Sequence, residues 1–452
     1  VPEAVSSCGE RADPVMKKVL VITYYWPPGG GAGVQRWLKF VKYLRNYGWE
    51  PVVYTPENGE MPVLDPTLEK DVPEGITVIR RPIWEPYNSY KRFIGQKKNE
   101  KINTGFLSEN KKPKRAEKLA VWIRGNFFIP DARKFWIRPS VSFLSGYLKD
   151  NPVQAIVSTG PPHSMHLIAL ELHKQLHIPW LADFRDPWTN IDFYPELMLT
   201  AAADRKHHKL EYSVLKNADA VVTVSRKWCD ELEELLGSEK EKFHVVSNGY
   251  DEDDLYSGVV NMDKKFSLVH IGSLVKSRNP EVLWKMLSVL VKEDAAFASD
   301  LEIKLIGKVD VNVMQSLEQY ELLPYLKKID YLPHSEVIRA QQQSQVLLLL
   351  VNNSRNASGI LTGKFYEYLS AKRPILCIGP ETGEMANAFK EMDCGKISGF
   401  DSEDKLKENI LSYYKTFKSG ILESVAHGTE QYSRKALTGK LATLLNQISK
   451  TK

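Results

Sequence analysis

Cysteine is scarce in this chain. The four residues, at 8, 229, 377 and 394, have neither the density of a disulfide scaffold nor the spacing of a metal-ligand set. Long apolar runs are missing as well: the longest purely aliphatic stretch, Val346 to Val351, has six residues, against the roughly 20 that a membrane-crossing helix needs. Nor is the composition biased. With 43% apolar and 26% charged residues, 27 Gly and 25 Pro, collagen, coiled coil and wholesale disorder are excluded. These absences together predict a globular protein of a reducing cytoplasm, and 452 residues exceed one compact core and suit two or three domains.

A strong overall charge is lacking too, since the formal net charge is only +5. It is unevenly placed, however. Residues 91–138 hold 14 Lys/Arg against four Asp/Glu, a local excess of +10, so the rest of the chain sums to −5. Phe93, Trp122, Phe127, Phe128, Ile129, Phe135 and Trp136 are interleaved with these charges. Rings among basic groups suit the headgroup level of an anionic membrane, while rings that cover a core are the alternative. No nucleic-acid recognition motif accompanies the charge, so nucleic acid is not an expected partner.

Residues 1–15 have no hydrophobic period and read as an extension outside the fold. The short apolar run from Val19 to Trp26 is broken by Pro27-Pro28 before any small-residue cleavage pattern, which argues against a signal peptide. From Met16 onward, short apolar strands alternate with amphipathic helices. Val19–Ile22, Pro51–Tyr54, Ala155–Ser158, Trp180–Asp183, Ala220–Val224 and His244–Val246 are the strands of a first lobe. After a polar linker near 257–265 the pattern restarts with Phe266–Ile271, Leu301–Ile306, Val346–Val351 and Pro374–Ile378. The fold class is therefore α/β, with two doubly wound parallel sheets. An N-terminal lobe spans 16–257 with a basic insertion at 88–140, and a C-terminal lobe spans 262–429. A last helix, at about 430–452 with Leu437, Leu441, Leu444, Leu445 and Ile448 on one face, closes back on the first lobe. Open parallel sheets bind ligands at their carboxyl strand ends, so the chemistry is expected in the cleft between lobes.

Three motifs reach that cleft. The loop Pro27-Pro28-Gly29-Gly30-Gly31-Ala32-Gly33 stands directly before a helix, where small residues admit a ligand to the backbone and helix N–H groups favour an anion. It is not a dinucleotide fingerprint: Arg36 occupies the third glycine position, and the second strand ends in Thr55-Pro56 rather than an acidic residue. In the second lobe, Gly272-Ser273 ends a strand and Arg278 precedes a helix, a position from which a guanidinium can grip a diphosphate. After the strand Val346–Val351 come Gly359-Ile360-Leu361-Thr362-Gly363-Lys364-Phe365-Tyr366-Glu367-Tyr368-Leu369. Leu361, Phe365, Tyr368 and Leu369 can pack inward, leaving Lys364 and Glu367 on another face. Glu367 could accept two hydrogen bonds from a ribose diol, and Lys364 with the first-turn N–H groups could meet phosphates. In the first lobe, His163 and the run Asp183-Phe184-Arg185-Asp186 stand at carboxyl strand ends. His163, His166, His173 and His177 form a rough helical stripe, but without cysteine or a well-placed acid no metal is expected.

The order of elements, the glycine loop, Ala218-Asp219-Ala220, the Asn248-Gly249-Tyr250-Asp251 turn, Gly272…Arg278 and Lys364–Leu369 resemble retaining glycosyltransferases of the GT-B type, family 4. The resemblance extends from Met16 over nearly the whole chain. It implies a metal-independent transferase that moves a sugar from a nucleotide-diphosphate donor to a glycan or lipid-linked acceptor, of the bacterial polysaccharide type. The donor site it implies comprises Gly30, Gly31, Gly33, Gly272, Arg278, Gly359, Ile360, Leu361, Thr362, Lys364 and Glu367, with Glu367 on the ribose and Arg278 on the diphosphate. Arg278 and Lys364 stabilise the leaving group, while Asp186, Asp183 and His163 are the candidates for handling the acceptor. No cofactor is expected besides the donor itself. The family's first glutamate is replaced by Gly359; backbone N–H groups around Gly359 and Ile360, or a residue of the other lobe, could substitute for it against the sugar. An anionic inner membrane surface, met through 91–138, is the expected location. A nucleotide-sugar epimerase and a noncatalytic sugar-nucleotide sensor are the alternatives on the same scaffold.

Overall fold

The computed structural model describes residues 16–86 and 115–450, apart from 62, 192–193, 238, 256–257, 331, 355–356, 421 and 424–425. The expected extension 1–15 and, within 87–114, the first half of the basic stretch lie outside the described residues. In the N-terminal lobe the chain runs β1 Lys17–Ile22, α1 Ala32–Leu44, β2 Trp49–Pro56, β3 Thr77–Arg81, α2 Arg115–Phe127, α3 Lys134–Asp150, β4 Ala155–Gly160 and α4 Ser164–Leu176. It continues through β5 Trp180–Phe184, α5 Ala201–Asn217, β6 Ala220–Thr223, α6 Arg226–Leu236 and β7 Phe243–Val245. These strands form one parallel sheet in the order β3-β2-β1-β4-β5-β6-β7.

The C-terminal lobe repeats the plan. It comprises β8 Phe266–Ile271, α7 Glu281–Glu293, α8 Ala295–Asp300, β9 Leu301–Ile306, α9 Val311–Gln319, β10 Leu326–Ile329, α10 His334–Gln343 and β11 Val346–Leu350. Then come α11 Gly363–Ser370, β12 Ile375–Ile378, α12 Glu384–Met392, β13 Gly395–Ser398, α13 Glu403–Lys418 and α14 Arg434–Ile448. Its parallel sheet has the order β10-β9-β8-β11-β12-β13. The edge strands β3, β10 and β13 escaped the sequence reading because their residues are largely polar and few of them are buried.

Period-2 alternation explains why each sheet is covered on both faces. Along β1, Leu20 and Ile22 pack with α3 and α4 residues such as Leu144 and Ile168. Val19 and Val21 point the other way, into a core shared with Val34, Trp37 and Val41 of α1 and with Leu437, Leu441 and Leu445 of α14. The last helix therefore lies on the first lobe although the chain reaches it from the second. The C-terminal sheet behaves likewise, with Leu268 and Leu348 on one face and Val269, Leu347 and Leu349 on the other.

Of the aromatic residues of the basic stretch, some are buried and others exposed. Trp136 is buried and stacks on Tyr54 at 4.8 Å, and Ile129 is buried as well. Phe127 and Phe135 are exposed, together with Trp84 from outside the stretch. Helical spacing accounts for the split, since neighbours 135 and 136 of α3 cannot face the same side.

The chain crosses between lobes twice, and the two crossings pair. Tyr250 N–H donates to the Tyr432 carbonyl at 3.2 Å, and Arg434 N–H donates to the Tyr250 carbonyl at 2.7 Å. Gly249 is required here, because a Cβ would stand 2.1 Å from the Tyr432 oxygen. Next to it an ionic cluster anchors the crossing to α1. The buried Lys39 ammonium meets Asp251 at 2.6 Å, Asp71 at 2.8 Å and Asp254 at 3.0 Å, and Lys42 also reaches Asp251, at 2.9 Å. Burial by itself would raise the Asp251 carboxyl, but Lys39, Tyr43 and Lys42 hold it below the ordinary carboxylate range.

Removing one member of such a cluster leaves buried charge uncompensated, so Asp251→Asn should lower the unfolding free energy by about 3 kcal/mol at neutral pH. The depressed carboxyl stabilises the fold fully above its unfolded value of about 3.9 and ceases to do so as pH falls through the lower folded value. Urea titrations should thus show the gap between wild type and variant closing below about pH 4. A gap that stays constant down to acid-induced unfolding would show that Asp251 is not the group responsible.

Candidate functional site

The C-terminal half of the cleft is assembled around α11. Phe365, Tyr366, Tyr368 and Leu369 are all buried, so Tyr366 joins the inner face expected from sequence, while Leu361 is partly exposed. The Tyr368 hydroxyl accepts the Ile271 N–H at 3.1 Å, which fixes α11 to the carboxyl end of β8. Gly272 follows there with φ 121°, and a Cβ on it would come within 2.5 Å of Lys364 Cε and 3.0 Å of Nζ. The glycine thus lets the lysine chain lie across the strand end. Lys364 Nζ stands 3.8 Å from Glu367 Oε2, and the two side chains are partly exposed.

Arg278 reaches the same region from the other side of β8. Its Nε donates to Asn352 Oδ1 at 2.5 Å, just beyond the end of β11. Both cations act on the buried His270, whose imidazole falls to about 4, mainly through burial, with Lys364 and Arg278 adding to the effect. So Gly272, Arg278, Lys364 and Glu367 gather at the carboxyl ends of β8 and β11. Ala357–Gly359 forms a short turn ahead of α11, and Thr362 caps the helix by accepting the Phe365 N–H at 3.3 Å. The N–H groups of Gly363 and Lys364 have no intrahelical carbonyl to reach. Ile360, Leu361 and Thr362 complete that turn and are partly exposed.

The glycine loop in the other lobe opens α1. Gly31 has φ 89° and open space around it, and it caps α1 without any side-chain hydrogen bond. Gly33 lies under Arg185, since a Cβ would come 2.7 Å from the guanidinium. Gly30 is different: its N–H donates to the Val63 carbonyl at 2.9 Å and its Cα faces Asp65, so the 63–65 loop occupies the place expected for a ligand.

Asp183 requires a correction. The sequence places it at a carboxyl strand end as an acceptor-handling candidate, but its carboxylate is fully buried. It takes two hydrogen bonds from Arg36 Nε and one from Nη2 at 2.8 Å, with Trp37 Nε1 at 2.7 Å and Thr159 Oγ1 at 3.0 Å. Burial would raise its pKa, yet Arg36, Trp37 and Thr159 together hold it below the ordinary value. A carboxylate so engaged has neither the access nor the lone pairs to meet an acceptor. The same contact explains Arg36 at the missing glycine position.

Asp186 is partly exposed and pairs with Arg185 Nη2 at 3.0 Å. His163 stacks on Trp188 with centroids 4.5 Å apart and planes 3° from parallel. Burial, and then the neighbouring His166, His207 and Arg185, push its imidazole well below the usual range, so it is neutral at physiological pH. Among the described residues its buried Nδ1 has no hydrogen-bond partner. The histidine stripe does not converge: no group of three or more His, Cys, Asp or Glu among the described residues is placed to hold a metal ion.

Three contributors lay outside the sequence reading. Gln341 of α10 donates to Glu367 Oε2 at 3.5 Å, Asn352 holds Arg278, and Lys227 of α6 reaches across the lobe seam to Ser358. Only Asn352 had a sequence signal, its place directly after the most apolar strand.

Comparison with known proteins agrees with this architecture. A glycosyltransferase from Rickettsia africae ESF-5 superposes with a TM-score of 0.64 at 13% identity, covering 97% of this chain and 100% of that one. Sucrose-phosphate synthase from Thermosynechococcus elongatus gives 0.60 at 11% identity, with 96% and 100% covered. A putative UDP-N-acetylglucosamine 2-epimerase from Listeria monocytogenes gives 0.55 at 11% identity, with 97% and 98% covered. At these identities the shared property is the fold. No curated protein sequence matches the chain significantly. Residues 105–254 match the family model described as Glycosyltransferase Family 4. The chain thus has the two-lobed GT-B type of fold, with a match to Glycosyltransferase Family 4 over residues 105–254.

Proposed function

We propose that this protein transfers a sugar, with retention of anomeric configuration, from a nucleotide-diphosphate donor to a glycan or lipid-linked acceptor. One observation carries the reading: the side chains at 278, 364 and 367, distant in sequence, share the carboxyl ends of β8 and β11. Arg278 and Lys364 bring two positive charges to where a diphosphate would settle, and Glu367 stands one turn into α11 beside the place of the adjoining ribose.

Leaving-group departure builds negative charge on the diphosphate oxygens. Preoriented cations and a helix N-terminus stabilise that charge without further reorganisation, an effect often worth several kcal/mol. In this reading they do so without a bound metal. Asp186 and His163 remain the groups proposed to orient the acceptor hydroxyl or take its proton. Lobe closure would exclude water that otherwise hydrolyses the donor.

The acceptor side is proposed to meet an anionic membrane on the cytoplasmic face. Trp84 is 62%, Phe127 60% and Phe135 42% exposed. Trp84 meets Phe135 edge-on at 4.9 Å, and Lys134 lies over the rings of Phe128 and Phe135. Phe127, Lys134 and Phe135 belong to the basic stretch 91–138, and Trp84 precedes it in sequence. No helix among the described residues is long and apolar enough to cross a membrane.

Incubation with a panel of nucleotide sugars tests the activity. Slow release of free sugar and nucleoside diphosphate is expected; an isomeric nucleotide sugar would instead identify an epimerase, and an unchanged panel a sensor. Glu367→Ala should weaken nucleoside diphosphate binding in calorimetry on the order of tenfold, the scale of a lost charged hydrogen bond. Unaltered binding would reject the ribose role. Replacing Trp84 and Phe135 by Ala, or Lys111, Lys112, Lys114 and Arg115 by Gln, should reduce sedimentation with anionic vesicles. The loss from the basic set should shrink as salt rises. Equal sedimentation of all variants would remove the membrane from the account.

A further inference from the structure

Gly359 has a partner in the opposite lobe. A Cβ at 359 would stand 2.8 Å from Lys227 Cδ and 3.4 Å from Trp228 Nε1, so the Lys227 chain fills the space a side chain there would take. Its ammonium donates to Ser358 Oγ at 3.0 Å, while its backbone N–H donates to Glu384 Oε1 at 2.8 Å. The first turn of α6 is thereby docked on two segments of the C-terminal lobe, the turn before α11 and the start of α12.

The charge pattern of this seam is one-sided. Arg226, next along α6, is committed to Asp230 and Glu233. Glu384 meets the backbone of Lys227 and not its ammonium. Among the described residues no carboxylate lies in ion-pair range of Lys227 Nζ, whose partner is a neutral hydroxyl. A partly buried ammonium gains little from one hydroxyl relative to water, and it is poised to gain more from an anion.

Direction along α11 indicates which anion. If Glu367 holds the ribose and the α11 N-terminus the phosphates, a linear nucleotide sugar continues past Thr362 toward Gly359, a position that itself contributes no side chain. The group waiting there is Lys227. We propose that Lys227 is a specificity-determining residue that recognises a carboxylate on the donor sugar, so that the donor is a uronic-acid type nucleotide sugar rather than a neutral hexose. This rests on the donor-site reading above and adds the sugar class. Neutral hydroxyls would be served as well by an uncharged or acidic side chain, and Gly359 exists because Lys227 needs the room.

The test compares binding of nucleoside-diphosphate glucuronic acid with nucleoside-diphosphate glucose, on the base whose free diphosphate binds best. Wild type should prefer the glucuronic acid donor on the order of tenfold. Lys227→Met should abolish the preference and Lys227→Arg largely retain it. Gly359→Ala, which displaces the lysine chain without removing its charge, should weaken it. Equal or weaker binding of the glucuronic acid donor by wild type overturns the proposal. So does a Lys227→Met variant that loses affinity for the free diphosphate as much as for the acidic donor, which would make Lys227 a phosphate contact. If no free diphosphate binds at all, the donor site itself is wrong, and the sugar assignment falls with it.

Discussion

The buried guanidinium of Arg36 holds three separate parts of the N-terminal lobe in register. It binds the Asp183 carboxylate at the end of β5, the carbonyls of Val246 and Ser247 at 2.8 and 3.0 Å, and Asn248 Oδ1 at 3.3 Å. Because Arg36 belongs to α1, the same contact sets where the glycine loop and the helix N-terminus stand. A buried pair of this kind recovers its desolvation cost only if its hydrogen bonds are satisfied in good geometry. Here the carbonyls that satisfy it belong to the segment leading into the lobe crossing. The position of the cleft wall and the path of the crossing are therefore one problem with one solution.

Much of the architecture was legible because it depends on local pattern. Apolar runs such as Val19–Ile22 and Val346–Leu350 become central strands, buried on both faces, for which no polar alternation is needed. The Lys364–Glu367 pair was legible for the same reason: helical spacing alone puts the two on one face. Edge strands follow a different rule. Thr77–Arg81 is paired along one edge only and has no fully buried residue, so its sequence carries too little apolar character to be told from a loop.

What sequence could not supply is contact across large separations. Asp183 looks like a cleft carboxylate until Arg36, 147 positions earlier, is placed against it. Lys227 and Ser358, 131 positions apart, show no shared pattern in either neighbourhood. The only trace of that contact was a glycine where the resemblance predicts an acid. In both cases the unusual residue, Arg36 in place of a glycine and Gly359 in place of a glutamate, was visible, and its reason lay in a distant partner. A departure from a motif is better read as a request for a compensating group than as a loss.

This also bears on how the lobes can move. The two crossings pair through backbone hydrogen bonds at Tyr250, Tyr432 and Arg434, which resist stretching but leave rotation about the pair open. Away from that axis the described seam is polar, made by Lys227, Ser358 and Glu384. Water can replace such bonds at small net cost, whereas separating a buried apolar interface would forfeit about 25 cal/mol per Å². On the proposed transfer reading, a pivot beside a hydrophilic seam would let the cleft open for an acceptor and close on a donor. The seam that must open and shut is also the one that carries Lys227, so closure and inspection of the sugar would occur in the same movement.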